Sequence, residues 1–142
     1  MQLNQGQQKA LDALLAAVID PNQKLVTLTG AGGTGKTTIL KQLVKELKDL
    51  AVLMPELVTT WHFTATTNKA VAALSDAIGP IAEVTTIHSL LGLVPQQGKL
   101  KQRRASTVQH KSIVVIDEAS YIGEELAEFI APIVDQVTLI IF

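Results

Sequence analysis

The sequence predicts an α/β domain, a doubly wound parallel sheet with flanking helices. Three observations carry that prediction. Short runs rich in β-branched residues alternate along the chain with segments of helical periodicity. The clearest run, SIVVI at Ser112 to Ile116, lacks the polar alternation of a half-exposed strand, as expected of a strand covered on both faces. A glycine-rich loop joins the first such run to the helix after it.

Leu11, Leu14, Leu15 and Val18 recur at helical spacing after Asn4, a residue suited to capping, so a first helix is expected to about Ile19, broken by Pro21-Asn22. LVTLT, Leu25 to Thr29, reads as a buried strand. The helix beyond the glycine loop carries Ile39, Leu40, Leu43, Val44 and Leu47 on one face. Leu57 to Ala65 reads as a second strand, and Ala70, Val71, Leu74, Ala77 and Ile78 as a helix stopped by Gly79-Pro80. Val84 to Leu91 is a short strand or turn entering one helical turn. Residues 92–111 form an inserted basic loop or small hairpin. After SIVVI, Ile122, Leu126, Phe129, Ile130 and Ile133 define an amphipathic helix, and VTLIIF a closing strand. With no internal repeat or linker, residues 1–142 are expected to form one domain, truncated at its C-terminal edge because it stops inside an apparent strand.

The composition, 47% apolar and 18% charged, is that of a folded globular protein. No apolar run approaches the ~18 residues of a membrane helix, the N-terminus lacks the apolar core of a signal peptide, and cysteine is absent. A cytoplasmic protein is the expectation. The net charge of −1 gives the whole molecule no general attraction for nucleic acid. Its distribution is uneven. Val84 to Ile116 contains no acid but holds Lys99, Lys101, Arg103, Arg104 and Lys111, whereas Asp117 to Phe142 contains acids and no Lys or Arg. A solvated loop and helix would explain this, and so would a local phosphate-contacting patch.

GAGGTGKT, Gly30 to Thr37, matches G-x-x-x-x-G-K-[ST] between a strand and a helix. Gly30, Ala31, Gly32, Gly33, Thr34 and Gly35 supply inward-turned backbone N–H groups for phosphate oxygens, reinforced by the helix N-terminus. Lys36 adds a mobile ammonium, and the Thr37 hydroxyl, followed by Thr38, can ligate Mg²⁺ beside a nucleoside triphosphate such as ATP. Asp117 and Glu118, at the end of SIVVI, belong at the carboxyl edge of the sheet with that loop. There Asp117 is suited to holding Mg²⁺, and Glu118 to orienting and deprotonating a water. His62, His88 and His110 show no metal-ligand spacing.

GAGGTGKTT, TATTNKAV, TTIHSLL and VVIDEAS, in this order, resemble the first four motor motifs of superfamily-1 helicases, most closely the RecD-like and Dda-like branch. The likeness runs from Leu3 to Phe142, and TTIHSLL with TNKA is its specific part. It implies a P-loop NTPase (RecA-like) N-terminal motor domain that uses ATP and Mg²⁺ to move 5′ to 3′ on single-stranded DNA. Gln7, by spacing a surface residue of the first helix, corresponds to a glutamine that contacts adenine. The resemblance assigns Thr66, Thr67, Asn68 and Lys69 to the single-strand groove, with Thr86, His88 and Ser89 beside them. Helix capping alone would also account for Thr66 and Thr67. Where the family has Ala-Pro-Thr, this chain has Ala65-Thr66-Thr67.

The basic insertion falls where this branch places a strand-splitting hairpin. Between Phe63 and Tyr121 there is no aromatic residue, so no ring there can stack on a base. A wedge would have to use Leu93, Val94, Pro95 or Leu100, with Lys99, Lys101, Arg103 and Arg104 holding phosphates. The resemblance also implies a second RecA-like domain as partner, carrying an arginine finger. Two other functions fit the phosphate loop alone: an ATPase acting as a remodelling or signalling switch, or a non-catalytic nucleotide-binding regulatory module.

Overall fold

Asn4 starts the first helix, α1 (Gln5–Ile19), with a reciprocal cap: its side chain accepts from the Gln7 N–H, and Gln7 Oε1 accepts from the Asn4 N–H. The computed structural model describes residues 3–28, 33–55, 60–108, 111–118, 122–137 and 139–141. Strand β1 (Leu25–Val26) is shorter than the LVTLT run, whose Thr29 lies outside the described residues. Helix α2 (Gly33–Leu53) buries Ile39, Leu40, Leu43, Val44 and Leu47, as its periodicity predicts. Strand β2 (Thr60–Ala65) is the C-terminal part of the expected second strand; Leu57 to Thr59 lie outside the described residues.

Thr67 caps α3 (Asn68–Ile78) by accepting from the Ala70 N–H, and Gly79-Pro80 ends it in a 3-10 turn. The short β3 (Val84–Thr86) passes directly into α4 (Ile87–Leu91). The basic insertion is a hairpin of β4 (Leu93–Gln96) and antiparallel β5 (Lys99–Gln102). Its two turn residues, Gln97 and Gly98, both have positive φ (52° and 77°), which matches a right-twisted ribbon. Strand β6 (Ser112–Asp117) follows. The helix expected over Ile122 to Ile133 is briefer: α5 (Glu124–Ile130) yields to a 3-10 turn at Ala131–Ile133. Pro132, lacking an N–H and crowding the preceding turn, explains the change. Strand β7 (Leu139–Ile141) completes the set.

The main sheet has the order β1-β7-β6-β2-β3, with every pairing parallel. Successive side chains of β6 serve opposite faces: Ile113 and Val115 join α1, α2 and α3, whereas Val114 and Ile116 join α4 and α5. Each such side chain is worth roughly 1.5–3 kcal/mol of gross burial. That makes β6 the strand the fold can least lose, and it delivers Asp117 to the sheet edge. Among the described residues no helix is long and apolar enough to cross a membrane.

Candidate functional site

Strand register assembles the site. Ala65, the last residue of β2, sits beside Thr86 on β3 and beside Asp117 on β6. Three chain segments therefore leave the sheet side by side at one carboxyl edge: Thr66 to Lys69, Ile87 to Ser89, and Glu118. The first two carry candidate nucleic-acid residues and the third a candidate catalytic carboxylate. A buried hydrogen bond of 2.8 Å from the Thr64 hydroxyl to the Val115 carbonyl ties β2 to β6 just below this edge.

At the phosphate end, α2 begins at Gly33, so Gly33 and Thr34 place their backbones in its first turn; Gly30, Ala31 and Gly32 lie outside the described residues. Lys36 Nζ lies 3.6 Å from Asp117 Oδ1, with the two side chains 24% and 32% exposed. The candidate phosphate-binding cation and the carboxylate suited to Mg²⁺ are thus brought together. Thr37 and Thr38 are partly buried in the same helical turn and are engaged in contacts of their own. A methyl group added at Gly35 would stand 3.4 Å from Gln7 Nε2, so the capped Gln7 carboxamide rests against the loop's last glycine. Glu118 has φ 57°, a left-handed conformation unfavourable for a residue with a Cβ. Its carbonyl accepts from the Thr66 hydroxyl at 3.3 Å.

A cavity of about 400 Å³ lies along α2, lined by Leu3, Thr38, Gln42 and Val44 with Lys41, Lys45 and Lys48, and its lining includes neither Gln7 nor Lys36 nor Asp117. Oxygen donors at Thr37 and Asp117 are of the hard type that suits Mg²⁺.

At the other end, Thr67, Asn68 and Lys69 are exposed on the first turn of α3 or just before it. Thr86, His88, Ser89, Arg103 and Arg104 line a groove of about 460 Å³ with Gly92, Leu93 and Val94. Lys99 and Lys101 stand exposed on β5, outside that lining. Thr86 is also the N-cap of α4, accepting from the Ser89 N–H at 3.0 Å. Of the four candidate wedge residues, Leu93 is buried and Leu100 packs on the α4–α5 core, which leaves Val94 and Pro95. The segment leaving the hairpin, Gln102 to Thr107, carries Gln102, Ser106 and Thr107, which no motif in the sequence singles out. The glycine after TTIHSLL, a ready helix C-cap, was the signal available for it.

His62 projects from β2 and is half-buried; loss of hydration lowers its pKa below the ordinary 6.5. It lines a different cavity with Glu83, Thr85 and Thr107, away from Lys36 and Asp117. His110 lies outside the described residues.

The family model described as an AAA domain matches residues 14–142. The RecBCD enzyme subunit RecD of Mycobacterium tuberculosis is 32% identical over 136 residues, covering 82% of this chain and 23% of that protein. The same subunit of Mycolicibacterium smegmatis is 31% identical over 123 residues, covering 76% and 22%. The ATP-dependent RecD2 DNA helicase of Deinococcus radiodurans is 30% identical over 120 residues, covering 83% and 15%. The chain therefore spans between 15% and 23% of the length of these relatives.

Proposed function

The chain belongs to the AAA domain family, as a motor domain of the RecD-like superfamily-1 kind, and from that premise we propose that it binds ATP with Mg²⁺ and couples ATP hydrolysis to movement along single-stranded DNA. One observation supports this above the rest. Ala65 is flanked in register by Thr86 and Asp117, so the segments suited to gripping DNA and the carboxylate suited to the nucleotide share one edge.

In this reading the Gly30–Thr37 loop and Lys36 hold the β- and γ-phosphates as a Walker A element, and Asp117-Glu118 is the Walker B pair. Thr37 and Asp117 would hold Mg²⁺, which neutralises charge on the phosphates when bound. The Lys36–Asp117 pair holds both groups in place, and Lys36 turns to the phosphates on binding. Glu118 orients a water for in-line attack and takes its proton. Gln7 reads the adenine edge with Nε2 while Oε1 remains in the cap of α1.

Thr66, Thr67, Asn68 and Lys69 bond phosphate oxygens of a single strand, continued by Thr86, His88, Ser89 and Arg103. Lys99 and Lys101 extend the positive surface toward a duplex–single-strand junction. Residues 92–111 act as the insertion of one motor domain. Its partner is a second RecA-like domain, and the setting is cytoplasmic.

The test is ATP hydrolysis by a polypeptide containing both motor domains. Single-stranded DNA is expected to stimulate hydrolysis, and Lys36→Ala or Glu118→Gln to abolish it. Hydrolysis indifferent to nucleic acid would exclude the motor reading.

A further inference from the structure

Helix α4 has only five residues, and its C-terminal carbonyls would ordinarily be left to solvent. Here the segment returning from the hairpin, Gln102 to Thr107, takes them together with the Gly92 cap. The Ser89 carbonyl accepts from the Gly92 N–H at 3.1 Å and from Arg104 Nη2. The Leu90 carbonyl accepts from both the Thr107 N–H (3.0 Å) and its hydroxyl (3.3 Å). The Leu91 carbonyl accepts from Gln102 Nε2 at 3.2 Å, and the Gly92 carbonyl from the Arg103 N–H at 2.8 Å. Arg104 Nη1 also donates to the Ala105 carbonyl at 3.3 Å, so both terminal nitrogens of the guanidinium are engaged on backbone oxygens.

The approach is close. Gly92 is left-handed (φ 74°), and a Cβ there would collide with the Arg104 carbonyl and stand 2.9 Å from Arg104 Cγ. Leu90, Leu91 and Leu93 are buried beneath the same junction.

We propose that Arg104 is a positioning residue that locks the basic hairpin to α4, so that Thr86–Ser89 and Arg103 form a single preset wall of the nucleic-acid groove. Its charge would be used on carbonyls and not on a phosphate. The inference rests on reading that groove as a nucleic-acid track, and it gives the hairpin a mechanical role. Any shift of α4 at the carboxyl edge of β3 is passed to the hairpin without slack.

Three properties separate this role from a direct phosphate contact. An Arg104→Ala variant should accelerate hydrogen exchange at the Arg103 and Thr107 amides by about 10- to 100-fold, the scale of a lost charged hydrogen bond. Exchange across Ile113 to Ile116 should stay at the wild-type rate, showing that the sheet is intact. Affinity for a fluorescent oligo-dT should fall, yet the slope of log affinity against log salt should not change, because no counterion-releasing contact is removed. Arg104→Lys keeps the charge but not the planar fork, so it should behave like the alanine variant. Gly92→Ala, which opens the junction from the other side, should reproduce the exchange change.

Unaltered exchange at Arg103 and Thr107 in Arg104→Ala would overturn the proposal. So would recovery of affinity by Arg104→Lys, or a salt slope reduced by about 1 in the alanine variant. Exchange decides whether Arg104 locks the junction, and the lysine variant and the salt slope decide whether its charge meets a phosphate. If the unmodified chain does not bind oligo-dT at all, the nucleic-acid reading fails, while the exchange result still stands for or against the lock.

Discussion

The hydroxyl of Thr66 donates a 3.3 Å hydrogen bond to the backbone carbonyl of Glu118, the residue held in a left-handed conformation at the end of β6. The two are placed together by register, since Ala65 and Asp117 are paired neighbours on β2 and β6. In the proposed function, a contact to DNA at Thr66 to Lys69 would thus bear directly on the backbone that aims the Glu118 carboxylate. A left-handed non-glycine residue costs roughly 1–2 kcal/mol and holds its place only when its surroundings fix it. Thr66 is one such constraint.

Thr66→Val keeps the β-branched shape and removes the donor. DNA-stimulated ATP turnover is expected to fall by about 5-fold, the equivalent of ~1 kcal/mol for one hydrogen bond, with Thr66→Ser close to wild type. Steady-state phosphate release at saturating single-stranded DNA measures it. Equal turnover in the valine and wild-type proteins would detach Thr66 from the carboxylate.

Lys36 and Asp117 face each other at 3.6 Å, yet their substitutions should separate. Lys36→Ala is expected to weaken ATP binding by about 10- to 100-fold, the value of a charge-assisted hydrogen bond. Asp117→Asn should raise the Mg²⁺ concentration needed for half-maximal hydrolysis. Glu118→Gln should leave ATP binding within about 2-fold while lowering turnover by ~10²–10⁴-fold, as for loss of a general base. Titration with a fluorescent ATP analogue across a Mg²⁺ series distinguishes the three.

The two ends of the Gln7 carboxamide can be divided by chemistry. Its Oε1 closes the cap of α1, and its Nε2 faces Gly35 at the phosphate loop. Gln7→Glu retains an acceptor for the cap but loses the amide donor, whereas Gln7→Ala loses both. The preference for ATP over GTP should fall by about 5- to 10-fold in both variants. The alanine variant alone should lose cap stability, about 0.5–1 kcal/mol, seen as a lower urea midpoint. A glutamate variant with unchanged nucleotide preference would remove Gln7 from base reading.

How much of this was legible in the sequence depended on the range of the interactions. The cap at Asn4 and the core faces of α1 and α2 are set by residues within one or two helical turns, so they could be located locally. On α3, Ala70, Leu74 and Ile78 are buried as expected, but Ala77 is exposed and Val71 only partly covered. The doubly wound sheet followed from alternation, and β6 from its unbroken apolar run. What stayed hidden were pairings between distant segments. Nothing local in TATTNKAV says that Thr66 meets the Glu118 carbonyl, 52 positions away. Arg103 and Arg104 look equivalent as basic residues and both line the groove, but Arg103 donates its backbone N–H to the Gly92 carbonyl while Arg104 turns its guanidinium onto the Ser89 carbonyl. Charge content was readable; where each charge points was set by the return path of the hairpin.

His62 makes a prediction about acid. Half-buried on β2, it is held below its ordinary pKa of 6.5 by loss of hydration, so the unfolded chain takes up this proton at a higher pH than the folded one. Its contribution to stability is therefore fully present above pH 6.5 and is lost as the pH falls below that value, through the lowered folded-state pKa. Trp61, the chain's single tryptophan, is stacked on Phe63 at 5.6 Å and flanks the same residue, so its fluorescence reports unfolding. Urea midpoints followed by that signal should decline between about pH 6.5 and pH 5 in the wild type. In His62→Gln, which cannot take up a proton, the decline over that interval should be shallower. An identical decline in the two proteins would mean that other groups govern the acid limb and that burial of His62 has no influence on it.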